Sequence, residues 1–243
     1  MTLRHFTGPL RHHAGDVWHA VQDLYLLWCI RRQGGSYTDF YAAKMNRKAQ
    51  RRGRTVNGRP EEKMFQLAFL QSHGLRSDTA LLDYGCGAAA AGINFIRYLE
   101  PNRYTGADIS RECIDLAPAQ VRHYGLEDKQ PRFTHLPGGA LDSLAGTTFD
   151  VVWAQSVFTH MPPHAIKSLL VQLPNLLRPK AVFYATFAPT RGTYRRGRVK
   201  NFYYNPDFLV AMAREAGFLC EIVEEWIHPL RQTDTMLRLT LPG

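Results

Sequence analysis

Cysteine is scarce in this 243-residue chain: Cys29, Cys86, Cys113 and Cys220 are scattered, with no CxxC pair and no histidine at zinc spacing. That pattern argues against a disulfide framework and a structural or catalytic metal, and it points to a reducing, cytoplasmic setting. Long apolar runs are missing too. The most apolar early stretch, Val17 to Ile30, is shorter than the roughly 20 residues that span a bilayer. The opening Met1-Thr2-Leu3-Arg4-His5 has no apolar core leading to a cleavage site, so no signal peptide is expected. Neither an internal repeat nor a low-complexity tract occurs. Acidic side chains are in deficit, 21 against 30 Lys and Arg, for a net charge of +9. That surplus favours anionic partners (phosphorylated small molecules, nucleic acid or a membrane surface) without choosing among them. At 45% apolar, the chain can bury one substantial core.

The densest signal lies at Leu81-Leu82-Asp83-Tyr84-Gly85-Cys86-Gly87-Ala88-Ala89-Ala90. A short apolar run that suits a buried strand is broken by two glycines, and an Ala-rich, helix-compatible segment follows. Strand, glycine turn and helix bring backbone N–H groups to the carboxyl edge of a sheet, where a side chain would hold a ligand away. Gly85 to Ala90 also satisfies the dinucleotide pattern GxGxx(G/A). Two carboxylates decide between cofactors. Asp83 would face a pyrophosphate unfavourably, whereas the sulfonium and ammonium of S-adenosylmethionine welcome it. Asp108 closes the next apolar run, about 20 residues past the glycines, the spacing at which an acid reaches ribose hydroxyls in this fold.

On these residues the chain resembles the class I S-adenosylmethionine-dependent methyltransferases. Asp83 to Gly87 looks like their first motif, Asp108-Ile109-Ser110 like their second, and Phe149 to His160 like their fourth. The resemblance runs from about Leu75 to Leu241. Two positions depart from it: Ala89 stands where the family usually has a third glycine, and Phe133 to Gly139 lacks the acid that often follows the third strand. The group that reads the adenine edge is therefore either a backbone amide near Leu136 or a side chain. The resemblance implies a Rossmann-like, doubly wound, mostly parallel seven-stranded sheet with an antiparallel C-terminal strand. Residues 1–74 would form a helical extension before a catalytic domain at 75–243. The implied cofactor contacts are Asp83, Tyr84, Gly85, Cys86, Gly87, Asp108 and Ile109.

The remaining pattern fits α/β alternation. Strands are expected near 80–84, 103–107, 131–135, 149–154 and 180–187, with helices near 90–99, 110–123 and 164–177. A helix start at Asn205-Pro206-Asp207 and two final strands near 218–226 and 235–241 complete the domain. Upstream, Val17, Val21, Leu24 and Trp28 recur at helical spacing, either to pack on the catalytic domain or, with Arg31 and Arg32, to dock on a membrane surface. The basic run Arg47 to Arg54 reads as a solvated linker or as a phosphate-binding arm. Glu61 to His73 reads as helix, with Gly74 as its cap.

Three sets of residues are candidates for chemistry. Gln155 follows the fourth strand at the ligand-binding edge and suits the methionine part of the cofactor. His160 is either a general base facing the acceptor or a loop histidine that shapes the pocket. The stretch from Arg191 to Tyr204, with Tyr194, Arg195, Arg196 and Arg198, is either a lid that grips an anionic acceptor or a solvated basic loop. The expected activity is methyl transfer to a small or medium-sized anionic acceptor, with a hydroxyl favoured. Competing readings are a nucleic-acid methyltransferase, an NAD-dependent oxidoreductase and a non-catalytic cofactor-binding scaffold. No Asn-Pro-Pro-Tyr or Asp-Pro-Pro-Tyr motif follows the fourth strand, which disfavours the first of these.

Overall fold

The computed structural model describes residues 8–197, 199–229 and 234–243, with side chains from Trp18 onward; Arg198 and the Val17 side chain lie outside the described residues. Three helices, α1 (Gly8–Arg32), α2 (Tyr37–Arg52) and α3 (Met64–Ser72), precede the alternating part. That part runs β1 (Leu81–Tyr84), α4 (Gly92–Tyr98), β2 (Tyr104–Asp108), α5 (Arg111–His123), β3 (Arg132–His135), β4 (Phe149–Ala154), α6 (Pro163–Gln172) and β5 (Leu177–Phe187). A hairpin of β6 (Tyr194–Gly197) and β7 (Asn201–Tyr204) then leads to α7 (Pro206–Glu215), β8 (Leu219–Val223) and β9 (Thr235–Thr240).

The main sheet has the order β3-β2-β1-β4-β5-β9-β8, with β1 to β5 parallel and β9 antiparallel to both of its neighbours. Rossmann-like topology and the antiparallel C-terminal strand are thus as expected. Strand order reverses between β1 and β4, and such a switch point opens a crevice at the strands' carboxyl ends. Every residue of β1 is buried, as a central parallel strand covered on both faces requires. Leu82, Val152, Phe183 and Leu237 face one layer, together with Tyr37 and Phe40 of α2 and Ile166 of α6. Their neighbours Leu81, Trp153, Tyr184 and Met236 face the other layer, against Leu67 and Leu70 of α3 and Phe95 of α4.

Several boundaries differ from the sequence reading for local reasons. Residues 88–91 form a turn before α4, and Ala89 there adopts φ +61°. Helix α6 gives way to a 3₁₀ turn at Leu173–Leu176, where Pro174 cannot donate to the helix. A 3₁₀ turn at Pro60–Lys63 likewise precedes α3. The basic run is not a linker up to Arg52: it forms the end of α2, which a Ser36–Asp39 capping box starts.

Helix α1 reverses the face that periodicity selects. Leu26 and Leu27 are buried with Ile30 packed beside them, while Val21, Leu24 and Trp28 point outward. Asp23 explains the orientation, since it pairs with Lys44 of α2 and fixes which side of α1 meets the protein. No described helix is long and apolar enough to cross a membrane.

Candidate active site

Strand β1 runs straight into the glycine turn. Gly85 and Gly87 have φ of +81° and +57°, a region that side chains rarely adopt. A Cβ on Gly85 would sit 2.5 Å from Val157 Cγ2, and one on Gly87 would sit 2.2 Å from Asn57 Oδ1. Asn57 is held in that place because it accepts the Ala88 N–H at 3.1 Å. The turn is therefore clamped from outside by the segment that joins α2 to α3.

Above the turn lies a cavity of about 500 Å³, within the range of small-molecule sites. Its wall includes Asp83, Tyr84, Gly85, Cys86, Asp108, Ile109, Gln155 and His160, so all but one of the expected cofactor and catalytic residues meet there. The exception is Gly87, whose N–H instead donates to Asp108 Oδ2 at 2.8 Å.

Both carboxylates are buried and anchored. Asp108 accepts Gly87 N–H on one oxygen and Ser110 N–H at 2.7 Å on the other, bonds that partly offset a pKa raised by burial. Each carboxylate oxygen keeps a second lone-pair direction for a hydroxyl. Asp83 accepts the Tyr104 phenol at 2.8 Å, yet burial pushes its pKa up to about 7, and the charge of Asp108 adds to the rise. The Cys86 thiol is raised well above its ordinary range by burial, which makes it a packing group and not a nucleophile.

An amide relay sets the state of Gln155. Trp153 Nε1 can only donate, and it donates to Gln66 Oε1 at 2.8 Å. Gln66 must then present Nε2, which donates to Gln155 Oε1 at 3.4 Å. What remains on Gln155 is Nε2, a buried donor with no partner among the described residues. An orphan of this kind in a cavity wall marks a place for an acceptor atom of a ligand.

His160 ends a 3₁₀ turn, Phe158–His160, after β4. Its Nδ1 lies 2.9 Å from the Lys200 carbonyl, which can only accept, so Nδ1 carries the proton and Nε2 is the basic nitrogen. Tyr41 of α2 stacks on the ring at 4.8 Å between centroids and fixes its plane.

Helix α2 contributes charge as well. Lys48 and Arg52, one turn apart, both line the cavity, and among the described residues neither has an acidic partner. The Lys48 pKa is lowered first by burial and then by Arg52.

The four acceptor-binding candidates lie elsewhere. None of Arg191, Tyr194, Arg195 and Arg196 lines the cavity. Arg195 sits over its cross-strand neighbour Tyr203 at 4.1 Å. Arg196 donates twice to the Val199 carbonyl and lies over Tyr37 and Phe202. Tyr194 stacks on Tyr204 and Phe208, and Arg191 is exposed with its carbonyl capped by Asn205. Arg195 and Arg196 thus engage aromatic rings of the hairpin and of α2, and the segment touches the site through the Lys200 carbonyl. Near Leu136 the expected adenine-reading amide is already bonded to the Asp108 carbonyl at 2.9 Å, while Gly138, Gly139 and Ala140 continue the cavity wall. Gln66 and Asn57 escaped the sequence reading. Gln66 meets its partners 87 and 89 residues away, a distance no local pattern encodes.

Comparison with known proteins agrees with this geometry. Residues 82–183 match the model of a methyltransferase domain. A probable methyltransferase, ltbC, of Aspergillus luteorubrus is 26% identical over 175 residues, 63% of this chain and 61% of that protein. The chain therefore spans less than two thirds of that relative. The fold is similar to magnesium protoporphyrin IX methyltransferase of Synechocystis PCC 6803, solved with bound S-adenosylmethionine, at a TM-score of 0.64 and 17% identity. That match covers 85% of this chain and 98% of the other. A Clostridium acetobutylicum S-adenosylmethionine-dependent methyltransferase gives 0.58 at 14% identity, over 75% and 92% of the two chains. With the glycine turn and its two carboxylates in place at the switch point, residues 82–183 carry a methyltransferase domain on a fold similar to that of S-adenosylmethionine-dependent methyltransferases.

Proposed function

We propose that this chain binds S-adenosylmethionine in the cavity above the glycine turn and methylates a hydroxyl group of a small or medium-sized anionic acceptor. One observation carries the reading: a single cavity holds two buried carboxylates, a tautomer-fixed histidine, and an amide donor and two cations that have no partner and no acidic partner, respectively, among the described residues. The residues fit the cofactor group by group. Asp83 suits its positive centres, Asp108 its ribose hydroxyls, and the orphaned Gln155 Nε2 its carboxylate. When bound, S-adenosylmethionine supplies a methyl group already activated by a sulfonium.

The protein's own task is then placement and one proton. Lys48 and Arg52 hold the acceptor's anionic group, which turns its hydroxyl toward His160. Positioning of this kind supplies roughly 7–11 kcal/mol of a bimolecular barrier. His160 Nε2 takes the proton that the hydroxyl must lose, and the Lys200 carbonyl stabilises the resulting imidazolium through Nδ1–H. Incubation with methyl-labelled S-adenosylmethionine and a metabolite extract, followed by mass spectrometry, should show label in acidic metabolites. His160→Ala should lower that turnover by about 10²–10⁴-fold with cofactor affinity retained. A loss of less than threefold would make His160 a shaping residue only.

A further inference from the structure

Helix α1 is apolar on two opposite sides, and the described residues cover only one of them. At 100° per residue, Leu26, Ile30 and Leu27 face the core together with Asp23, which reaches Lys44. Trp18, Val21, Leu24, Tyr25 and Trp28 occupy the opposite arc, about 120° wide, and every one of them is more than half exposed. Single exposed apolar residues are ordinary, but five large ones on one stripe are a surface with a purpose.

The chemistry of the stripe selects its partner. Arg32 falls inside the arc, with its guanidinium 4.9 Å from the centre of the Trp28 ring, and exposed Arg31 borders it. From Trp18 to Arg32 the exposed residues are Trp, His, Val, Gln, Leu, Tyr and Arg; the sole acid, Asp23, is turned away and paired. Tryptophan and tyrosine combine an apolar body with a polar edge and favour the headgroup level of a bilayer. A stripe of aromatic and aliphatic side chains with arginines and no acid matches an interfacial helix lying on anionic lipid. We propose that the outer face of α1 docks the protein onto an anionic membrane surface, with the helix parallel to the bilayer. Docking here makes no demand on the methyl-transfer chemistry, because none of the described side chains of α1 lines the cavity.

Tryptophan emission reads this face directly. Trp153 and Trp226 are buried, whereas Trp18 and Trp28 are 62% and 53% exposed. Titrating the full chain with phosphatidylcholine–phosphatidylglycerol vesicles should shift emission to the blue, and phosphatidylcholine vesicles should not. Co-sedimentation should show Arg31→Gln with Arg32→Gln partitioning about twenty-five-fold more weakly, since each arginine near an anionic leaflet is worth about fivefold. Leu24→Ser with Tyr25→Ser keeps both reporter tryptophans and should weaken partitioning by about tenfold or more. All four side chains are exposed, so the variants should melt with the parent. Equal binding to both vesicle types, or no blue shift with anionic ones, overturns the proposal. It is equally overturned if the parent is a dimer in solution that shields Trp18 and Trp28 from iodide and that Leu24→Ser with Tyr25→Ser converts to monomer.

Discussion

Tyr104 donates its phenol to Asp83 at 2.8 Å beneath the glycine turn, and that bond does not offset the burial of the carboxylate, whose pKa rises to about 7. The native value is then above the unfolded one, near 3.9. Stability from this group is present below the unfolded pKa and is lost as pH rises through about 7. The ligand-free protein should therefore lose melting temperature between about pH 4 and 7, and Asp83→Asn should remove most of that slope. Binding of a cationic ligand runs the other way, because it favours the charged carboxylate. S-adenosylmethionine affinity, measured by calorimetry, should fall as pH drops below about 7, by up to about tenfold per unit. Identical pH profiles for parent and Asp83→Asn would remove Asp83 from the cofactor's charge environment.

Ala89 carries the cost of a missing glycine. Its φ of +61° is left-handed, which an alanine pays for with roughly 1–2 kcal/mol. Glycine there would cost roughly 0.5–1 kcal/mol in chain entropy. Ala89→Gly should therefore stabilise the protein by up to about 1 kcal/mol, raising Tm by about 2–4 °C for a chain of this size. A lower Tm would mean that the buried Ala89 methyl contributes more packing than its backbone costs.

The two cation clusters make opposite predictions. Lys48 and Arg52 line the cavity, while Arg195 and Arg196 are engaged by the hairpin itself. Lys48→Glu with Arg52→Glu should raise the acceptor's KM by at least tenfold, the lower end expected for loss of one charge-assisted bond. Arg195→Glu with Arg196→Glu should leave it within about threefold. Steady-state kinetics on an identified acceptor checks both, and the reverse outcome would return acceptor binding to the hairpin.

Much of the site was legible because parallel α/β sheets place chemistry at strand ends in sequence order. Asp83, Gly85, Asp108 and Gln155 each follow a readable apolar run, so their convergence needs only the topology. Parts assembled by long-range contact were not legible. Asn57 clamps the glycine turn from 31 residues away, and Gln66 of α3 orients Gln155, just past β4, through a hydrogen bond across 89 residues of sequence. Periodicity left α1 open between packing and surface docking, because a helix apolar on two sides offers two stripes, and the Asp23–Lys44 pair turns the other one toward the core. The hairpin was illegible for a related reason: its arginines and aromatics look like ligand-binding groups, and only the cross-strand register shows that Arg195 faces Tyr203 and Arg196 faces Phe202.

The most direct test of the account is equilibrium binding of the two cofactors that the glycine pattern alone would admit. Titrated calorimetrically into the purified chain, S-adenosylhomocysteine should bind at one site per chain and raise the melting temperature. Asp108→Ala should weaken that binding by about 3–6 kcal/mol if both ribose bonds are lost. NAD and NADP should produce neither heat nor a shift. Binding of NAD without S-adenosylhomocysteine would contradict the assignment of Asp83 and Asp108 to a cationic nucleoside.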